Sequence, residues 1–198
     1  MTTLALVDYR RRVHELYARV RAAGSAAPTA FADFVATRDA LFARHPASPL
    51  LPERRAGFGG LAVHPYDPRF RFVVAPDLDV ERTRLEVRLA DDGLVVLERF
   101  AQVTVPFASG PERLSLYWIG GYGGGVFLPF RDATNGIDTY GGGRYLLDTI
   151  KGADLGSEGG DLGSEDAALV LDFNYAYQPS CAYDERWDCP LAPPDNRL

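Results

Sequence analysis

Val13, Leu16, Tyr17 and Val20 recur at steps of three and four residues among Arg10, Arg11, Arg12, Arg19 and Arg21, until Gly24 breaks the pattern. That spacing predicts an amphipathic helix. A second helix is expected to start near Pro28-Thr29 and to carry Phe31, Phe34, Val35, Arg38, Leu41 and Phe42 on one side. It ends at His45-Pro46, because the residue before a proline is pushed out of the helical region. Arg38 lies on the apolar stripe and must snorkel or be paired there. Asp8, Glu15, Asp33 and Asp39 are interleaved with the arginines, so the charged faces read as solvated surfaces, not as an arm for nucleic acid.

After Ser48-Pro49-Leu50 the period changes from helical to alternating. Phe70, Phe72 and Val74 alternate with Arg69 and Arg71, and Leu85, Val87 and Leu89 with Arg84, Glu86 and Arg88, as in strands with one wet face. Asp91-Asp92-Gly93 has the residues of a hairpin turn, with residues 94–97 returning as partner strand. Further strands are expected at 102–107, at 113–119 with Leu114, Leu116 and Trp118 on one face, at 126–130 and at 168–173. No helical crossovers separate them. The expected fold is therefore mainly β (α+β), one domain over 1–198. Two N-terminal helices (1–46) pack on an antiparallel β sandwich or partly open barrel (57–198).

Two glycine-rich stretches interrupt this body. Asp154-Leu155-Gly156-Ser157-Glu158 recurs as Asp161-Leu162-Gly163-Ser164-Glu165, without the ligand spacing of a calcium loop, so 152–166 reads as a flexible acidic surface loop. Gly120-Gly121-Tyr122-Gly123-Gly124-Gly125 lacks the lysine and following helix of a phosphate loop and reads as a hairpin connection.

At 198 residues and 46% hydrophobic, the chain suffices for one well-buried core. A net charge of -6 disfavours nucleic acid and anionic lipid as partners. No leader or membrane-length apolar run is visible, and two cysteines are too few for a disulfide scaffold, which together predict a cytoplasmic protein.

The densest polar cluster is Phe130-Arg131-Asp132-Ala133-Thr134-Asn135-Gly136-Ile137-Asp138-Thr139-Tyr140-Gly141-Gly142-Gly143-Arg144-Tyr145. Arg144, between Tyr140 and Tyr145 and after three glycines, offers a planar fork for a carboxylate or phosphate, with glycine amides in reach of the same oxygens. The alternative is an internal ion pair from Arg144 to Asp132 or Asp172. Asp172 and Asn174 alternate with Leu171 and Phe173 and would share a strand face. Asn135-Gly136 reads as a turn in which Asp132 and Thr134 cap backbone amides.

This run extended to Leu146, the segment Asp172-Phe173-Asn174-Tyr175-Ala176-Tyr177-Gln178-Pro179-Ser180-Cys181-Ala182-Tyr183, and Cys189-Pro190-Leu191-Ala192-Pro193-Pro194-Asp195-Asn196-Arg197-Leu198 closely resemble the uncharacterised bacterial and archaeal family catalogued as domain of unknown function 1684. Arg38-Asp39, Ser48-Pro49-Leu50 and Phe58-Gly59-Gly60-Leu61 extend the resemblance over most of the chain. It implies no established activity, substrate or cofactor. Members usually continue past the Asn-Arg-Leu tripeptide with a further short strand, so that strand is expected to be absent here or trimmed away.

Cys181 and Cys189 bracket Trp187 and could close as a disulfide, supply half a zinc site, or stay as thiols. His14, His45 and His64 are the available imidazoles, and a zinc site or a Cys181–His64 nucleophile pair would need His64 beside the cysteines. Free or reversibly bridged thiols are the adopted reading, with no metal and no cofactor. The functional expectation is a protein that binds a small polar or anionic ligand. Arg144 would act as clamp, Asp172 and Asn174 as orienting groups, and Tyr140, Tyr145 and Tyr177 as walls. Two alternatives stand beside it: an enzyme using Asp172 or Asp132 for acid-base chemistry in the same pocket, and a structural or interaction protein with no ligand. The oligomeric state is not legible.

Overall fold

The computed structural model describes residues 2–90, 93–159, 161, 163–164 and 166–198. Helix α1 (Thr3–Ala23) begins where the Thr2 hydroxyl accepts from the Ala5 N–H and stops at Gly24, whose φ of 49° suits glycine. Helix α2 (Ala27–Arg44) has its proline in the first turn and ends at His45, ahead of Pro46. Val13, Leu16, Tyr17 and Val20 meet Phe31, Phe34 and Leu41, and this apolar seam continues onto Ala153 and Tyr175 of the β body. A single turn, α3 (Pro52–Arg55), follows.

The body contains two antiparallel sheets. One has the order β2-β3-β4-β5-β6, built from Arg84–Leu89, Gly93–Phe107, Gly110–Ile119, Gly125–Phe130 and Arg144–Asp148. The other has the order β1-β8-β7, from Arg71–Val74, Ala168–Asp172 and Ser157–Glu158. Val74 and Leu171 of the smaller sheet pack with Val103, Leu114, Leu116, Leu128 and Leu146 of the larger one, forming the core between the layers. On the opposite face of the larger sheet lie Leu97, Tyr117, Phe127 and Tyr145. The fold is thus α+β, with both sheets antiparallel and neither closed into a barrel.

The double coverage explains several departures from the alternating pattern. Residues 94–97 and 102–107 belong to one 15-residue strand, β3, bent at Phe100 where the register with β4 shifts. In β4 every residue from Leu114 to Tyr117 is buried, because both faces are covered, while Trp118, two residues beyond Leu116 in the same strand, is 44% exposed. Phe70 falls in a 3₁₀ turn whose Asp67 side chain caps the Arg69 N–H, so β1 starts one residue later. Residue 173 likewise opens a 3₁₀ turn after β8. The expected turn at Asp91-Asp92-Gly93 lies partly outside the described residues, at Asp91 and Asp92; β2 and β3 pair on either side of it. Residues 120–124 connect the antiparallel β4 and β5, as a hairpin loop should.

The loop 152–166 is not wholly free. Arg21 donates to the Gly152 carbonyl (3.2 Å), the Asp154 carbonyl (2.9 Å) and the Asp154 carboxylate (3.2 Å), and Ser157–Glu158 pairs with β8. Gly160, between the repeats, and Leu162 and Glu165 of the second repeat lie outside the described residues. His64 is exposed in an irregular segment.

Pro129 sits inside β5, where a residue without an N–H has no ladder bond to give. On the β6 side the register shifts between Leu128 and Pro129. On the β4 side the ladder ends at Tyr117–Phe127. The buried Asn196 carboxamide fills the gap, accepting from Ser115 N–H (2.8 Å) and donating to the Ser115 (2.9 Å) and Pro129 (2.7 Å) carbonyls.

Candidate functional site

The residues expected to form one pocket fall into three networks. In the first, Arg144 pairs with Asp132 and lies over the Phe130 ring, 4.9 Å from its centroid. Asp132 also accepts from the Thr134 N–H (2.9 Å) and hydroxyl, and Asn135 donates to the Thr139 hydroxyl (3.0 Å) and Tyr140 carbonyl (2.7 Å). Gly136, at φ +81°, turns the loop. Of the two ion-pair partners open to Arg144, the structure selects Asp132, and the loop's polar groups largely serve one another.

The second network centres on Asp172, buried at the end of β8. It accepts from the Tyr66 hydroxyl (2.9 Å) and from the Asn174 N–H (3.1 Å) and carboxamide (2.6 Å). Asn174 also holds the Asp67 backbone, accepting from its N–H (2.8 Å) and donating to its carbonyl (2.9 Å). Asp172 and Asn174 therefore meet, though through a capped 3₁₀ turn and not a shared strand face. Burial raises the Asp172 carboxyl above its ordinary value, while the hydrogen bonds from Asn174 and Tyr66 and the Arg71 charge pull it back. The cleft beside it, bordered by Arg21, Arg71 and Tyr175, has a volume of ≈ 30 Å³. That is room for water, not for a substrate. Arg144 is not part of this network.

The third network joins Tyr145 and Tyr177 to residues that the sequence did not single out. The backbones of Tyr145 and Tyr177 exchange two hydrogen bonds, and their rings lie 5.7 Å apart. Tyr177 donates its hydroxyl to Asp148 (3.0 Å), which also pairs with Lys151 (2.7 Å). Tyr145 donates to the Pro190 carbonyl (2.6 Å). Burial pushes both phenols well above their ordinary range, so both remain donors. Tyr140 lies at the margin, its hydroxyl 3.7 Å from the Cys181 sulfur, and both cysteines are free thiols.

Behind Tyr177 stands Arg38. Its guanidinium lies 5.0 Å from the Tyr177 ring centroid, 5.4 Å from Phe34 and 5.6 Å from Phe42. Tyr9, Tyr17 and Tyr183 surround it electrostatically. It is 9% exposed, and no ion pair from it to a carboxylate occurs among the described residues. The Tyr17 hydroxyl, fully buried beside it, has no hydrogen-bond partner among the described residues either. The signal in the sequence was an arginine on an apolar stripe; Asp148 and Lys151 gave none, because β6 follows a glycine run and shows no alternation.

A larger groove of ≈ 500 Å³ runs between α1 and α2, lined by Asp8, Arg12, Glu15, Arg19, Arg44 and His45 among others. Its size suits a ligand, but several of its charges are already cross-linked: Asp8 to Arg12 and to His45, each at 3.0 Å, and Arg19 to Asp33 at 3.0 Å. Among the described residues no helix is long and apolar enough to cross a membrane.

The fold has a solved counterpart. The solution NMR structure of an uncharacterized protein from Haloarcula marismortui is 30% identical to the chain, covers 86% of it and 88% of its own length, and superposes with a TM-score of 0.61. No curated protein matches. The family model described as "Protein of unknown function (DUF1684)" matches residues 56–198, the whole β body with its tyrosine and cysteine segments. The chain belongs to the DUF1684 family.

Proposed function

We propose that the protein binds a small anionic compound, a carboxylate or phosphate, at Arg38, with Tyr177 and Phe34 as walls and the Tyr17 hydroxyl as a neutral donor. One observation carries this reading: a buried guanidinium without a carboxylate among the described residues. Arg12, Arg19, Arg21, Arg69, Arg71, Arg144 and Arg186 each hold one. A buried charge left uncompensated costs several kcal/mol, a cost that a ligand anion removes on binding. Arg144 suits this role less well, since Asp132 already answers its charge. The half-buried Tyr9 and Tyr183 border Arg38, and the Tyr183 hydroxyl is hydrogen-bonded to it.

Thermal unfolding with citrate and with inorganic phosphate as probes tests the proposal on wild type and Arg38→Met. An anion at about 100 times its Kd should stabilise wild type by ~2.7 kcal/mol and leave the variant unmoved. Without anion, Arg38→Met should match or exceed wild type in stability, as expected when an uncompensated buried charge is replaced by an apolar side chain. An Arg38→Met protein clearly less stable than wild type, with neither anion shifting wild type, would assign Arg38 to the core instead.

A further inference from the structure

The larger sheet reaches past the core it shares with the smaller one. Ala101, Val103, Leu114 and Leu116 belong to that core, but before the bend at Phe100 the same face of β2, β3 and β4 is bare. Three rows of side chains cross it in register. Arg84, Glu98 and Trp118 stand opposite one another in the first, Glu86 and Val96 in the second, Arg88 and Leu94 in the third. Trp118 is 44% exposed and Leu94 49%. The indole rests against the Gly124 backbone, where a Cβ would stand 2.9 Å from its Nε1, so it is a fixed anchor and not a loose ring. Arg84 and Glu86 lie 3.6 Å apart, and Arg88 and Glu98 hold no ion pair among the described residues. The two arginines and two glutamates cancel, which leaves a partner of single charge sign, such as nucleic acid or an anionic membrane, nothing to gain here.

The arrangement is complementary to itself. Strands are ~4.8 Å apart and successive residues on one face ~6.8 Å, and on that grid a two-fold axis can lie in the plane of the sheet, oblique to the strands, at Val96. It carries Trp118 onto Leu94 of a second copy, Arg88 onto Glu98, and Arg84 onto Glu86, each contact occurring twice as a two-fold interface requires. We propose that the protein self-associates through this face, two copies packing sheet against sheet with Val96 at the axis. Each indole covers the other copy's Leu94, and opposite charges meet around that apolar centre, the anatomy of a specific interface. The strands of the two copies cross obliquely, as in aligned sheet packing. The footprint is roughly 300–400 Å² against about 800 Å² per partner in a standard interface, so the dimer is weak and forms at high concentration.

Sedimentation velocity on the full chain from about 1 µM to 1 mM tests this. Wild type should pass from monomer to dimer within that range. Trp118→Ala and the single reversals Arg88→Glu and Glu98→Arg should each weaken the dimer at least ~10-fold, because symmetry doubles every lost contact and every clash. The double variant Arg88→Glu with Glu98→Arg should regain wild-type association. Within one chain these two residues stand about 14 Å apart, so such a rescue can come only from pairing between copies. Both side chains are exposed, and the reversals should leave the melting temperature within a few degrees of wild type. A wild type that stays monomeric throughout overturns the proposal and leaves the face to a different partner, with no variant needed to decide it. A dimer that ignores the reversals, or that the double variant fails to restore, overturns it equally.

Discussion

Asp172 shows how much one side chain can hold in place. It ties Tyr66 and Asn174, and through Asn174 the Asp67 backbone, to the end of β8. Asp172→Ala should therefore cost about 1–3 kcal/mol for each buried partner left unsatisfied, read as a lower urea midpoint at unchanged slope. Its titration has a definite sign. The folded carboxyl is raised above its unfolded value, so the native state keeps a proton that the unfolded chain has lost. Stability contributed here falls as pH rises from the ordinary aspartate range through that raised value. Cys189 has the opposite sign: its folded value is depressed to about 6, so its contribution is present above the unfolded thiol range and lost as pH falls through 6. Urea titrations between those limits should show stability rising with pH in wild type and a flatter profile in Cys189→Ser. A parallel rise in both proteins would remove Cys189 as its source.

Among the elements, the loop before β6 is where backbone geometry restricts the sequence most. At Gly143 φ is +98°, and a Cβ would stand 2.6 Å from the Phe130 carbonyl oxygen and 3.1 Å from the Ala192 side chain. Gly143→Ala should cost at least ~1–3 kcal/mol in strain alone. Gly120→Ala, where the nearest atoms lie at 3.8 Å and φ is ordinary, should stay within ~0.5 kcal/mol. Equal melting temperatures for the two would contradict this. The same region marks the limit of what the sequence reveals about elements. The helices were legible because each keeps one wet face: Val13, Leu16, Tyr17 and Val20 are the buried residues of α1. The strand at β4 was legible too, but the burial of Ser115 and Tyr117 on its second face was not, because a strand covered on both sides loses its period of two. The site was legible in its ingredients more than in its assembly. Asp172 with Asn174 and Arg144 with Asp132 do meet, but which carboxylate Arg144 takes depends on pairing between strands that local pattern does not reach. Arg38 announced itself only as a misplaced charge.

At the scale of the molecule, aromatic rings join the helices to the body. Phe31 and Phe34 of α2 lie 5.5 Å and 4.9 Å from Tyr175, and Tyr66 adds a ring 5.6 Å from Phe31. Phe34→Ala should cost ~3–5 kcal/mol. If 1–198 is one domain, far-ultraviolet circular dichroism and tryptophan fluorescence should still report a single shared transition. Helices melting ahead of the sheets would divide the chain in two. Asn196 bears on the order of events. It follows Ser115 by 81 residues and Pro129 by 67, yet its carboxamide bridges the place where β4 and β5 part. Chains are made from the N-terminus, so β4 and β5 leave the ribosome well before the side chain that spans them. Until Asn196 arrives, the nascent larger sheet carries an open seam at Ser115 and Pro129, with carbonyls that can meet water, a chaperone or another chain. Codon choice and the pace of elongation over that stretch become part of how this protein reaches its native state.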